Sequence, residues 1–403
     1  MESALAAVDA RAREELQRWG VPGLAVGVLA GGETAVRAWG VADLDTGEPV
    51  TPATSFRVAS VTKPFTAALA RATLDLDATL DSPAGPATVR QLLAHVGGLR
   101  CEAERPLDGF SSVSEAVARA GLRAWGEPGR LWVYANAGYW LVGAAIEQAT
   151  DVSFDEAMRT HVLAPLGLAA TSFGPPDAAG HEPVAPEALE HRRHPVAGYP
   201  PGRRPSGGLV STVADLLRFA ASTLDDDARV VEATRPGGAQ GVGWMLERRG
   251  DAELVLHPGS VGGFQSVLAL VPARRVAVAA LSNSARGSAA FGPVVDALLE
   301  ALADVPPWAP AVVETGEDEL AELAGRYAGP DEDARVEAAP GGLRLRLTVR
   351  DPLTGAMAEQ PPLVGRPVGA RAFAVLEGEA AGSCFDFPDR YVRLGSVLAE
   401  RVP

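Results

Sequence analysis

Apolar positions along the 403-residue chain repeat at a strand spacing near its start, at a helix spacing through its middle, and at the strand spacing again beyond residue 250. Gly23 to Ala30 (GLAVGVLA) and Glu33 to Ala42 (ETAVRAWGVA) are short apolar runs divided by Gly31-Gly32, a two-residue hairpin signal. They predict two antiparallel strands, preceded by an amphipathic helix within Met1 to Gly20. From Ser60 to about Asp227 the spacing predicts helices at Phe65 to Leu76, Val89 to Ala94, Ser114 to Trp125, Gly138 to Ala149, Phe154 to Val162 and Thr212 to Ser222. Ser153, and Ser211 or Thr212, stand where a capping oxygen is needed. Strands return at Ala252 to His257, Phe264 to Val271 and Arg275 to Ser282, and Ala289 to Leu302 reads as a helix.

Two early and three late strands close one antiparallel sheet of five or more strands, flanked by the first and last helices, with the helical middle inserted as a second lobe. The expected class is α+β, an α/β sandwich whose sheet lobe comprises residues 1–63 and 245–304 and whose helical lobe comprises 64–244. A cleft between the lobes follows. Residues 305–318, rich in Pro and Glu, read as a linker; 319–403 alternates short β runs (Leu343 to Val349, Ala372 to Glu377, Tyr391 to Val397) with turns and predicts a small antiparallel β domain.

Charge narrows the partners. Fifty-one acidic against thirty-six basic residues give a net charge of -15, which repels phosphate backbones, so no nucleic acid is expected. Cys101 and Cys384 lie in unrelated segments without metal-ligand spacing, which predicts two reduced thiols, and His161, His191 and His194 have no neighbours at metal spacing either; neither a metal nor a cofactor is expected. No apolar run is long enough to span a bilayer and the first residues lack a signal-like pattern, which favours a cytoplasmic protein with no membrane partner. The acidic runs at Asp225-Asp226-Asp227 and Glu317-Asp318-Glu319 read as solvated loop or cap surface.

Candidate chemistry begins at Ser60-Val61-Thr62-Lys63. If a helix starts near Ser60, residues three apart share a face, and the hydroxyl and amine become neighbours, a nucleophile beside its base. Pro64 agrees with this register, because a first turn tolerates proline. On its own the spacing is also that of a capping serine and a solvated lysine. Tyr134 and Asn136 lie two apart before a helix and can point together into a cleft, where a phenol relays protons. His257-Pro258-Gly259-Ser260 ends a strand with a glycine that permits close approach of a substrate.

With Ser60-x-x-Lys63, Tyr134-x-Asn136 and His257-x-Gly259 in this order, the chain resembles the serine β-lactamase and penicillin-binding-protein superfamily, in its class C-like branch of esterases, D-amino-acid peptidases and transacylases. Supporting stretches are Thr88 to Leu99, Pro205 to Thr212 and Val242-Gly243-Trp244; the likeness covers about Ala6 to Leu302. The tail is similar to the small β-barrel-like appendage of some members. The resemblance implies Ser60 as nucleophile, Lys63 and Tyr134 sharing the proton work, His257 as the fourth catalytic residue, Asn136 binding the acyl side, and N–H groups of Ser60 and Ser260 as the oxyanion hole. A neutral Lys63 requires its pKa to fall from about 10.4 toward about 7, roughly 4 to 5 kcal/mol from its surroundings.

Many members carry lysine where this chain has His257, and Thr or Ser where it has Pro258. A largely neutral histidine and a proline without hydroxyl attract a substrate carboxylate less well, so an ester, amide or peptide is expected as substrate, with weak or no β-lactamase activity. Tyr199 and Trp244 are candidates to line an acyl pocket, Arg203-Arg204 to bind a carboxylate, and His95 to hydrogen-bond the turn at Val96-Gly97-Gly98. Acyl transfer or peptide cyclisation through the same acyl-enzyme, and a non-catalytic sensor or scaffold, are the alternatives.

Overall fold

The computed structural model describes residues 1–103, 109–185, 187–195, 198–224, 232–235, 237–350, 357–378 and 380–402. The Asp225-Asp226-Asp227 run lies outside them.

An antiparallel sheet organises the first three quarters of the chain. Its strands are β1 (Gly23–Ala30), β2 (Glu33–Gly40), β3 (Ala233–Arg235), β4 (Gly238–Gln240), β5 (Met245–Arg249), β6 (Ala252–Val261), β7 (Phe264–Val271) and β8 (Val276–Ser282), in the order β2-β1-β8-β7-β6-β5-β4-β3. Every ladder in it is antiparallel. The sheet is wider than the five strands read from the apolar pattern, because β3, β4 and β5 are short and carry Arg235, Gln240 and Glu247 among few apolar residues.

Alternation along the central strands fills two cores. On β1 and β8, Leu24, Val26, Val28, Val276, Val278 and Ala280 point to one face, where they meet α1 (Glu2–Ala7), α2 (Asp9–Trp19) and α10 (Gly287–Ala303). Ala25, Leu29, Ala277, Ala279 and Leu281 point to the other, against the helical lobe. Gly27 admits that lobe closely: a Cβ there would lie 2.5 Å from Val213 Cγ1 on α9 (Val213–Thr223).

The helical lobe contains α3 (Thr62–Thr73), α4 (Val89–Leu93), α5 (Val113–Ala120), α6 (Asn136–Thr150), α7 (Phe154–Met158) and α8 (Arg204–Gly207) besides α9. The Thr88 hydroxyl accepts from the N–H of Gln91, whose side chain returns the bond, and Ser112, Ser153 and Thr212 cap α5, α7 and α9 through their side chains. The Phe154 to Val162 pattern runs one turn past α7 as a π-helix.

After an irregular stretch, α11 (Glu317–Leu323) begins with the acidic run in its first turn, where it complements the helix dipole. There follow β9 (Gly325–Ala328), β10 (Glu332–Ala339), β11 (Gly342–Arg350), β12 (Met357–Glu359), β13 (Leu363–Gly369), β14 (Ala372–Val375), β15 (Cys384–Asp386), β16 (Tyr391–Leu394) and β17 (Val397–Val402). Their order is β10-β9-β17-β16-β15-β14-β13-β11-β12, and β10 also pairs with β11, closing a barrel. Leu343, Leu345, Phe373, Phe385 and Val392 fill its interior. No helix among the described residues is long and apolar enough to cross a membrane.

Candidate active site

Between β2 and α3 the chain turns sharply. Ala59–Val61 forms a single 3-10 turn that runs into α3, with Pro64 in the first turn, so Ser60 and Lys63 share a face as their spacing predicts. Ala59, directly before the serine, has a φ of 48°, a left-handed conformation that costs a non-glycine residue about 1–3 kcal/mol.

Lys63 is 0% exposed. Its Nζ donates to Ser60 Oγ at 3.1 Å, Asn136 Oδ1 at 2.8 Å and the Ser206 carbonyl at 2.6 Å, which engages all three N–H groups. Burial lowers its pKa to about 7, against the opposing pull of Cys101 and Glu102. An amine so placed exchanges a proton near neutrality.

Tyr134 reaches the same hydroxyl from the other side, its OH donating to Ser60 Oγ at 2.8 Å. Burial raises this phenol well above its ordinary pKa, so it stays protonated. His95 braces its segment: the rings stack at 4.3 Å, and the Ala135 N–H donates to His95 Nδ1 at 3.0 Å. The expected bond from His95 to its own following turn gives way to this contact: Nδ1 accepts from Ala135, and Nε2 has no hydrogen-bond partner among the described residues. Asn136 opens α6, and its Nδ2 donates to Glu102 Oε1 at 2.7 Å. Glu102 in turn pairs with Arg203, which is thereby already matched to a carboxylate.

The third wall is the end of β6. Partner β5 covers only Ala252 to Leu256, so His257 to Val261 form an edge facing the Ala59–Val61 turn. Gly259 is required there: a Cβ would lie 2.4 Å from the Val58 carbonyl and 2.3 Å from Ser266 Oγ. Ser266 Oγ itself donates to that carbonyl at 2.8 Å, tying the turn to β7. His257 is 1% exposed; burial and the neighbouring Lys63 lower its pKa to about 3. Its Nδ1 lies 2.7 Å from the Pro258 carbonyl and therefore carries the ring proton, while Nε2 finds no hydrogen-bond partner among the described residues.

Two cavities meet at Ser60. One of about 700 Å³ is lined by Tyr199, Arg203, Gly207, Ser260 and Gly262; another of about 980 Å³ is lined by Tyr134, His257, Gly259 and barrel residues including Gly395 and Ser396. Ser60, Lys63, Tyr134, Asn136, His257, Gly259, Ser260 and Tyr199 thus converge. Trp244 does not: it is 2% exposed and stacks on Phe219 at 6.3 Å in the core, turned inward after Gly243, whose φ is 80°. Glu102, the Ser206 carbonyl and the barrel tip escape sequence reasoning. Glu102 follows closely on the Gly97-Gly98-Leu99 stretch, which is the one signal that could have drawn attention to it. No group of three or more His, Cys, Asp or Glu among the described residues is placed to hold a metal.

Several known proteins are similar to this chain. Penicillin-binding protein 4 of Amycolatopsis lactamdurans is 28% identical over 361 residues, covering 76% of this chain and 93% of that one. The D-aminopeptidase of Gluconobacter oxydans is 29% identical over 88% of this chain and 71% of its own. The crystal structure of SurE with D-Leu superposes with a TM-score of 0.75 at 27% identity, covering 100% of both chains. The Beta-lactamase family model matches residues 8–303, and the chain belongs to that family.

Proposed function

We propose that the protein is a serine acyl hydrolase that forms an acyl-enzyme on Ser60, acting on amides, esters or peptides whose acyl part is a D-configured aminoacyl group. The observation that carries this reading is the Ser60 hydroxyl held between Lys63 Nζ at 3.1 Å and Tyr134 OH at 2.8 Å. Lys63, near pKa 7, takes the serine proton in its neutral form, keeping two N–H bonds to Asn136 and Ser206 and turning its lone pair toward Ser60 Oγ as that oxygen attacks the carbonyl. Tyr134, protonated at neutral pH, donates to the departing amine or alcohol and regains its proton from Lys63. The N–H groups of Ser60 and Ser260 hold the oxyanion; one such donor is worth roughly 3 kcal/mol. Water then attacks the ester and the same groups return the proton.

Substrate class rests on charge and kinship. Glu102 and Arg203 line both cavities as an ion pair with no net charge, and His257 carries none, so support for a free α-ammonium on the substrate comes from kinship. The D-aminopeptidase relative and the D-Leu in SurE point the same way. Among the described residues lining the cavities the arginines are already paired with carboxylates, which disfavours a substrate carboxylate beside the scissile bond and with it β-lactams. Acyl transfer is a second reading, favoured by the size of the cavity on the Tyr134 side, about 980 Å³, which accommodates an amine acceptor as well as a leaving group. A fluorophosphonate should add to the intact mass of the protein and not to Ser60→Ala. D-aminoacyl nitroanilides should be cleaved in preference to their L counterparts, and product analysis with added amine separates transfer from hydrolysis. A chromogenic cephalosporin turned over orders of magnitude faster than these would overturn the substrate assignment.

A further inference from the structure

We infer that Arg393, on the C-terminal barrel, is a positioning residue for Tyr134: together with the Gly395 carbonyl it fixes the extended segment that carries the phenol. The inference rests on the role proposed for Tyr134.

In extended backbone, successive peptide groups point to opposite sides. The segment from Trp132 to Ala135 is held on both. On one side the Val133 N–H donates to the His95 carbonyl at 2.9 Å and the Ala135 N–H to His95 Nδ1 at 3.0 Å. On the other side both partners come from the barrel. Arg393 Nη1 donates to the Trp132 carbonyl at 2.9 Å, and the Tyr134 N–H donates to the Gly395 carbonyl at 3.1 Å.

Arg393 is built for this contact. It is 5% exposed, and Asp386 on the adjacent β15 grips its Nε at 2.8 Å and Nη2 at 2.5 Å, a bidentate pair that leaves Nη1 aimed at Trp132. Its guanidinium lies 5.9 Å from the centre of the Trp132 ring. Gly395, two residues on, opens the two-residue turn between β16 and β17 with a φ of 55°. Arg100 with Glu332 and Arg123 with Asp331 tie the barrel to the helical lobe independently, so loss of Arg393 alone leaves the barrel docked.

The test is kinetic, in the full chain. Arg393→Met and Asp386→Asn are made alone and combined with Tyr134→Phe, and kcat and KM are measured on an activated aminoacyl ester or nitroanilide. Misplacing the phenol should lower kcat on the order of 10- to 100-fold with KM little changed. In the Tyr134→Phe background the added loss should shrink to about threefold or less, because the group being positioned is gone. Losses that multiply undiminished with Tyr134→Phe, or an unchanged kcat, would overturn the inference. If Arg393→Met fails to fold, Asp386→Asn, which keeps the guanidinium and removes its brace, decides the matter. Failure of the wild type to label at Ser60 counts against the parent reading; normal labelling with an unaltered kcat in these variants counts against this one alone.

Discussion

On the helical side of Ser60, Lys63 engages its three N–H groups with Ser60, Asn136 and Ser206, whereas across the cleft His257 keeps Nε2 without a partner among the described residues. The first flank works through saturated hydrogen bonding around one ionisable group. The second works through shape, with Gly259 letting β6 lie against the turn that carries the serine. Both flanks are buried, and burial acts alike on Lys63 and His257 by disfavouring the charged form. It leaves one amine near neutrality and one imidazole uncharged across the working range.

Breaking the first flank should have the largest effect. Ser60→Ala or Lys63→Met should lower kcat/KM on the order of 10⁴-fold or more, measured on any acylating substrate, since nucleophile and base act as one unit. Tyr134→Phe should cost on the order of 10²- to 10³-fold, within the range of a single proton-transfer group. On the second flank, Gly259→Ala should lower kcat by about 10²-fold, because a Cβ 2.4 Å from the Val58 carbonyl must displace the serine turn or β6. The pH profile sharpens the contrast. With the folded pKa of Lys63 depressed to about 7, the base form grows as pH rises through that value, so kcat/KM should climb with an apparent pKa near 7; a profile already flat from pH 6 would speak against Lys63 as the base. The smallest effect belongs to His257→Gln. A neutral residue replacing a neutral imidazole should stay within about 10-fold of wild type and leave the acid limb unmoved, whereas a shifted limb would reveal a charge at His257.

Much of this arrangement was legible in the chain because its signals are local. The β1 and β7 runs were bounded by glycine or proline turns, and residues three apart on a helix had to bring Ser60 to Lys63. The register of Tyr134 and Asn136 was legible for a similar reason, since an extended segment leading into a helix sets their directions. What escaped depends on distant parts of the chain. Strands β3 and β4 are held by neighbours rather than by their own apolar content, and Trp244 packs inward because of a glycine turn and the ring of Phe219. Glu102 gains its place from Asn136 and Arg203, which lie far from it in sequence. Of the nine barrel strands, three short β runs were legible, and Tyr391 to Val397 runs across the Gly395-Ser396 turn that separates two strands. The bond from the Tyr134 N–H to the Gly395 carbonyl passes between backbone groups, which carry no residue signature.

Closure of the barrel through the β10–β11 ladder has a practical consequence for engineering. A ring of strands without a free edge offers little template for association, apart from the three-residue β12 on its rim. Such a module lends itself to exchange between related chains as a cassette, provided the partners of Arg100, Arg123 and Trp132 travel with it. Chimaeras that keep those partners while varying the remaining loops would then diversify one face of the cleft without disturbing the sheet that carries the serine turn.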